Sequence, residues 1–286
     1  MKLVVSPPPF IKKERTTSKV LWSVVFALLP PVVAAVYLFQ IPGLFVILTS
    51  VAACALTEAA VSYVSKRKMH IPMAPTLITG LILGLLLPFW TPLWIPFIGG
   101  VFAIAIAKEA FGGHGSNIFN PAIAAWVFLM VSWATDTLTP PITFYDVGSF
   151  LLNRQAERLV EASPAFVLLG GMFLFLTRLI KLDVPVGFLL GVYLPLIVLG
   201  DSLTPWFSGI FILMVFFVIT DPVTSPITKR GRLIFGLGCG LMVVLYSQFA
   251  NLEDGLGLAV LLMNALVPLI DRFTKPSPLL LEGMNV

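Results

Sequence analysis

Ten apolar runs follow one another along this chain, and the basic residues fall almost wholly into every second gap between them. The runs are 20–40, 43–64, 73–89, 94–108, 119–133, 164–180, 184–200, 206–220, 232–250 and 255–271. A helix needs roughly 20 mainly apolar residues to cross a bilayer, with about 17 as a lower limit. Counted from a cytoplasmic start, the inner segments hold Lys2, Lys12, Lys13, Arg15 and Lys19, then Lys66, Arg67 and Lys68, then Lys108. They continue with Arg178 and Lys181, with Lys229, Arg230 and Arg232, and with Arg272 and Lys275. That accounts for 16 of the 18 lysines and arginines; Arg154 and Arg158 fall outside, in a long loop that also carries four acids. Cytoplasmic loops collect Lys and Arg, and a wrong number of spans would scramble the alternation.

The expected fold is therefore an all-α integral membrane protein of ten transmembrane helices. Its parts are a cytoplasmic N-terminal segment (1–19), a first five-helix half (20–133), an external loop (134–163), a second five-helix half (164–271) and a cytoplasmic tail (272–286). An odd number of spans per half turns the second half over, which predicts two inverted five-helix halves with polar breaks where they meet. The third, fourth, fifth and eighth runs are short and interrupted by residues such as Gly80, Gly84, Pro88, Pro96 and Pro121, as broken or tilted helices are.

Composition narrows the class further. The chain is 58% hydrophobic and only 11% charged, whereas a soluble domain carries about a quarter charged residues. The start is polar and basic, with a Pro7-Pro8-Pro9 run and no apolar core before Val20, so the first run reads as a retained anchor. The net charge of +4 lies in loops facing one side; it points to a lipid bilayer as partner and to no nucleic acid. Cys54 and Cys239 each sit inside an apolar run, and no CxxC is present, so an iron–sulfur site is not expected. His70 and His114 both fall at inner loops, which counts against haem ligation inside the spans. No GxxxxGK[ST], HExxH or GxSxG occurs, and no metal site is expected.

Two polar breaks remain. The first runs from Lys108 and Glu109 through Phe111-Gly112-Gly113-His114-Gly115-Ser116-Asn117 to Asn120-Pro121; the second is Thr220-Asp221-Pro222-Val223-Thr224-Ser225-Pro226. Non-helical backbone near a membrane is tolerated only where protein or a water-filled cavity satisfies its polar groups. Gly112 and Gly113 would let backbone amides approach a flat ligand. Asn117 and Asn120 offer the paired donors and acceptor that suit the N–H and C=O edge of an isoalloxazine. Asn120 followed by Pro121 is also good helix-capping chemistry. Asp221, framed by Thr220, Thr224 and Ser225, fits either a cofactor or cation site or a helix stop with a Pro-rich turn. Glu58, inside the second run, is costly in lipid unless paired or solvated; an end-of-helix position and an ion-path role both fit it.

At these residues the chain resembles a known family. FGGHGSNIFNPA (111–122), TDPVTSP (220–226), RGRLIFG (230–236) and LLMNALVPLID (261–271) closely resemble the D subunit of Rnf-type electron transport complexes. The B subunit of the sodium-pumping NADH:quinone oxidoreductase is a more distant match. The start, 6–30, is similar too. The resemblance implies a urea-channel-like fold, flavin carriers, and membership in a complex that couples ferredoxin or NAD(H) redox chemistry to Na⁺ or H⁺ movement. It implies further membrane and iron–sulfur or flavoprotein subunits as partners, and the cell (inner) membrane as location.

One stretch departs from the family pattern. Members carry a D-x-x-S-G-A-T-type sequence in the long loop, with FMN esterified to its final Thr. Here the region reads Asp136-Thr137-Leu138-Thr139-Pro140-Pro141-Ile142-Thr143-Phe144. A Pro-Pro replaces the Gly-Ala pair, fixing φ twice and deleting two N–H groups, and Thr143 lies one residue too far along. Covalent FMN at Thr143 is not expected; a noncovalent riboflavin or FMN at Gly112, Gly113, Asn117, Asn120, Asp221 and Thr224 is. No residue is expected to act as a catalyst in the isolated chain. The rival expectations are a channel or secondary transporter for a small solute or cation, and a cofactor-free structural subunit.

The charge pattern generates a direct test. With both termini cytoplasmic and 134–163 outside, Ser149→Cys should react with an impermeant thiol reagent applied to spheroplasts, and Ser65→Cys should not. The opposite labelling pattern would reverse every span.

Overall fold

The computed structural model describes residues 16–65, 73–133, 147–200, 207–249 and 252–274. Thr143 and the rest of the departing motif lie outside the described residues. Among them all regular structure is helical, apart from one isolated bridge between Pro88 and Arg158.

Helix α1 runs from Thr17 to Val64, opened by the Thr16 side chain accepting from the Lys19 amide. It is bent at Gln40, whose φ of 51° is left-handed, so 17–39 and 41–64 are two helical segments in one element. Each is about 35 Å long at a rise of about 1.5 Å per residue, enough to cross a membrane. The bend coincides with Ile41-Pro42-Gly43, where a proline removes an amide and Gly43 packs so closely that an added Cβ would stand 2.9 Å from Leu159 Cδ2.

The remaining helices are α2 (Met73–Leu86), α3 (Trp94–Val101), α4 (Pro121–Ser132), the short α5 (Val147–Leu151), α6 (Pro164–Leu176), α7 (Asp183–Leu199), α8 (Gly209–Leu213), α9 (Lys229–Ser247) and α10 (Leu252–Thr274). Local chemistry sets their starts. Asn120 and Ser163 each cap a helix whose first residue is a proline, and Ser208 and Thr228 cap α8 and α9. Helices α3 and α8 share an unusual ending: each continues into a π-helical turn, Phe102–Ile106 and Met214–Val218, and each then enters one of the two polar breaks. Single π-turns inside helices gather at functional sites.

Among the described residues, four helices are long and apolar enough to cross a membrane by length and composition: Thr17–Val64, Trp94–Phe111, Lys229–Ser247 and Gly255–Thr274. Five shorter apolar helices accompany them. The outer surface is greasy to a degree no water-facing surface would be, with Tyr37 72%, Ile197 67% and Val198 86% exposed. These features define a multi-pass membrane protein. Inside it, α7 and α9 pack backbone to backbone through Gly187, Gly191, Gly236 and Gly240; a Cβ on Gly187 would stand 2.5 Å from the Leu233 carbonyl oxygen. This is the close small-residue packing that lipid-embedded helices use.

The end of the segment expected outside is folded into the body. Arg158, Leu159, Val160, Glu161 and Ala162 are all buried. The Leu159 amide donates to the Leu87 carbonyl at 3.1 Å, and Glu161 accepts from the Gly209 and Ile210 amides at 2.8 Å each, satisfying the start of α8. The Arg158 guanidinium lies 5.9 Å from the centre of the Trp126 ring, within cation–π range.

Candidate functional site

The first break begins as α3 unwinds through its π-turn and Lys108 turns inward. Lys108 is 2% exposed, and its ammonium donates to both oxygens of Glu58 on α1, at 2.7 and 2.5 Å. Thr76 of α2 donates its hydroxyl to Glu58 Oε2 at 2.6 Å. Three elements are thus tied by one buried carboxylate, and Glu58 is neither a helix-end residue nor solvated. The partner of Glu58 is Lys108, brought close by the packing of α1 against α3 and its π-turn.

Beyond Lys108 a 3₁₀ turn, Glu109–Phe111, is closed by Gly112 at φ +112°. Gly113 and Gly115 follow at +90° and +89°, conformations that side-chain-bearing residues rarely adopt. The Gly112 amide donates to the Glu109 carbonyl and the Gly113 amide to the Lys108 carbonyl. These two glycines therefore shape the loop, and their amides are engaged within it. Asn117 donates from Nδ2 to the Phe119 carbonyl at 3.0 Å, and Asn120 Oδ1 accepts from the Ala122 and Ile123 amides. Those bonds leave the Asn117 carbonyl and the Asn120 NH₂ for another partner.

In the second break the Asp221 carboxylate closes a turn on itself, accepting from the Val223 amide at 3.1 Å and from the Thr224 hydroxyl at 3.2 Å. Thr220 bonds back to the Phe216 carbonyl at 2.7 Å. Asn264 of α10 stands between the breaks. Its Oδ1 accepts from the Asn120 amide at 3.1 Å, and its Nδ2 donates to the Thr224 carbonyl at 3.0 Å.

The two breaks meet at one cavity of about 200 Å³. Its polar wall comes from Lys108, His114, Asn117, Asn120, Thr220 and Asp221. Apolar residues of α1, α2 and α6, among them Leu21, Ile78 and Leu174, form the rest, with Phe216 and Phe217. Few polar groups in an apolar cleft is the composition of a small-molecule site. Of the expected residues, Asn117, Asn120 and Asp221 reach the cavity, while Gly112, Gly113 and Thr224 stand behind it as loop and turn formers.

Two titratable groups of this wall are shifted by their surroundings. Burial raises the Asp221 carboxyl above the ordinary carboxylate range, against the pull of its two hydrogen bonds and of His114. Partial burial, and then the Lys108 charge, hold the His114 imidazole below its ordinary value. Lys108 is balanced by Glu58.

A polar-walled cavity between non-helical breaks, inside a multi-pass helical membrane protein, is the architecture of a membrane subunit with a binding site rather than of a simple anchor. The chain belongs to the NQR2, RnfD, RnfE family, whose sequence profile matches residues 4–279. It is 41% identical over 279 residues to the D subunit of the ion-translocating oxidoreductase complex of Methanosarcina acetivorans, covering 96% of each chain. It is 33% identical to the D subunit of the Na⁺-translocating ferredoxin:NAD⁺ oxidoreductase complex of Acetobacterium woodii, covering 96% of this chain and 94% of that one. The D subunit of the proton-translocating ferredoxin:NAD⁺ oxidoreductase complex of Clostridium ljungdahlii is also 33% identical, with 95% and 94% covered.

The Glu58–Lys108 pair makes a stability prediction. Removing one partner of a buried ion pair costs about 3–5 kcal/mol, because the other charge is left uncompensated. Lys108→Met should therefore sharply reduce accumulation in membranes and lower the melting temperature in detergent. Adding Glu58→Gln to it, which removes the orphaned charge and keeps an acceptor for Thr76, should recover much of the loss. A double variant as unstable as Lys108→Met would show that the pair is not the reason.

Proposed function

We propose that this protein is the membrane subunit in which a multi-subunit complex couples electron transfer to Na⁺ or H⁺ translocation, with the cavity between the two polar breaks as a noncovalent flavin site. The observation that carries the reading is the convergence of both breaks, far apart in sequence, on one cavity lined by Asn117, Asn120 and Asp221. Family membership supports the complex; the relatives named for ferredoxin:NAD⁺ chemistry support the redox partners, and their two different ions leave the coupling ion to experiment. The partners would be further membrane subunits and iron–sulfur or flavoprotein subunits, in the cell membrane with both termini cytoplasmic.

Ten spans in inverted halves fit the helices described. With α1 divided at Gln40, five apolar helical segments precede residues 134–163 and five follow. The short helices beside the breaks would then bring non-helical backbone to the inner edge of the bilayer, where a protein-lined cavity can receive it.

The residues present suit a flavin ring. Asn117 keeps a carbonyl and Asn120 an NH₂ toward the cavity, an acceptor and a donor for the ring's polar edge. Apolar side chains of α1, α2 and α6 would cover its faces and exclude water. At about 200 Å³ the cavity is smaller than the ~300–1,000 Å³ of typical ligand pockets, so it would take the ring while the ribityl chain leaves through the opening. A flavin bound there supplies one-electron relay; the protein supplies position and electrostatic tuning. Lys108 and Asp221 are the residues that would set the local field.

Two outcomes are expected. Native protein should release flavin on acid precipitation, while its band on a denaturing gel stays dark under ultraviolet light. A fluorescent band abolished by Thr143→Val would show covalent FMN after all, and colourless protein without flavin would move the reading to a channel or a structural subunit.

Asp221 gives the second. Because burial raises its pKa, the folded protein holds that proton more tightly than the unfolded chain does. The resulting stabilisation is complete below the ordinary carboxylate value of about 4 and is lost as pH rises through the raised value. Asp221→Asn should remove this pH dependence of melting, leave assembly intact, and impair electron transfer or ion uptake in membrane vesicles. Wild-type rates of both would reduce Asp221 to the turn it closes.

A further inference from the structure

In the sequence Asn264 is only a faint echo of Asn120, an asparagine a few residues before a proline in the last apolar run. In the structure it is 1% exposed and touches both breaks with the two ends of one planar group. Its Oδ1 accepts from the Asn120 amide at 3.1 Å; its Nδ2 donates to the Thr224 carbonyl at 3.0 Å. The contacts continue outward on each side. Asn120 Oδ1 holds the first amides of α4, and the Thr224 hydroxyl holds Asp221 Oδ2. A single hydrogen-bonded chain therefore runs from the start of α4 through Asn120, Asn264 and Thr224 to Asp221, and its two outer side chains, Asn120 and Asp221, both line the cavity.

We infer that Asn264 is the positioning residue that sets the width of this cavity, clamping the two polar breaks at a fixed separation so that Asn120 and Asp221 address one ligand. The inference rests on the cavity being the cofactor site. A carboxamide is required because one end must accept and the other must donate. An apolar residue of the same size leaves the Asn120 amide and the Thr224 carbonyl without this partner. An ionised carboxylate has two acceptors and repels the Thr224 carbonyl, whereas a protonated carboxyl restores one acceptor and one donor. Asn264→Asp should thus be a clamp that closes at low pH and opens at high pH.

The groups that could titrate alongside are those facing the clamp. They are His114, Lys108 and Glu58 with the first break, Asp221 with the second, Lys229, Arg230 and Arg232 on α9, and Asp271 and Arg272 on α10; α4 carries none. All are present in wild type, whose pH profile provides the subtraction.

The test uses the full chain purified from its membranes with the partners it carries. Spin labels are attached at Ser116→Cys and Ile227→Cys, exposed positions of the two breaks, while the native Cys54 and Cys239 are fully buried. Label-to-label distance distributions and retained flavin are measured across pH in wild type, Asn264→Asp and Asn264→Leu. Wild type should hold one narrow distribution throughout. Asn264→Asp should match it at low pH and broaden reversibly as pH rises, with flavin affinity falling about tenfold or more over the same interval, the scale of one unsatisfied buried polar group. Asn264→Leu should be broad at every pH. Because Asn264→Asp is compared with itself, poor yield of the leucine variant leaves the comparison intact.

A distribution in Asn264→Asp that stays as narrow as wild type at every pH overturns the clamp. So does flavin affinity unchanged while the distance broadens, since the width would then not matter to the ligand. If no variant, wild type included, carries flavin while the distances switch as expected, the cofactor reading fails and the mechanical clamp stands.

Discussion

Backbone that leaves a helix among lipid-facing helices must find every hydrogen bond inside the protein, and most of what surrounds the two breaks follows from that requirement. The first break satisfies itself with three left-handed glycines, whose turns let the Lys108 and Glu109 carbonyls meet the Gly113 and Gly112 amides. The second does so with a carboxylate turn at Asp221. What neither can supply locally comes from α10: Asn264 meets one group of each break, and Asp271 accepts from the Ile227 amide at 3.0 Å. Helix α10 is thus more than a lipid-facing span; two of its polar side chains complete the backbone of loops that precede it.

The same rule governs charge. Glu58 and Lys108 would each be prohibitive alone in this interior, and they occur as a contact pair reinforced by Thr76. Glu161, buried beneath α8, accepts from two helix-start amides, a favourable setting for a carboxylate in an apolar interior. Arg232 and Asp183 join α9 to α7 at 2.7 Å, where they are still partly exposed. In every case the acid on one element is answered by a group on another, so charge neutralisation and tertiary packing are the same event.

Apolar length and charge sidedness made the helical membrane class legible from the sequence, because both are properties of contiguous stretches. Gly, Asn, Asp and Pro marked the two breaks for the same reason: each acts through its own neighbours. Long-range pairings were not legible. Nothing local assigns Lys108 to Glu58, fifty residues away, or shows that Asn264 meets both breaks. Nor could residues 158–162 be seen to turn inward, since a polar stretch with Arg158, Glu161 and Ser163 reads as a solvated loop until α8 and Trp126 are placed beside it. Gly112 and Gly113 carry a signal their backbone accounts for locally, with positive φ and amides bonded to the Glu109 and Lys108 carbonyls. The glycine spacing of Gly187, Gly191, Gly236 and Gly240 was available as small-xxx-small pairs and marks the α7–α9 contact.

The recurrence of one backbone device on both sides of the cavity ties these observations together. A helix ends in a π-turn, at Phe102–Ile106 and at Met214–Val218, and within three residues the chain presents a charged side chain to the same space: Lys108 from one side, Asp221 from the other. Lys108 is paired with Glu58, and burial raises the Asp221 carboxyl above its ordinary range. Each break thus delivers its charged side chain to the cavity already engaged, Lys108 by the Glu58 carboxylate of α1 and Asp221 by the amide and hydroxyl of its own turn.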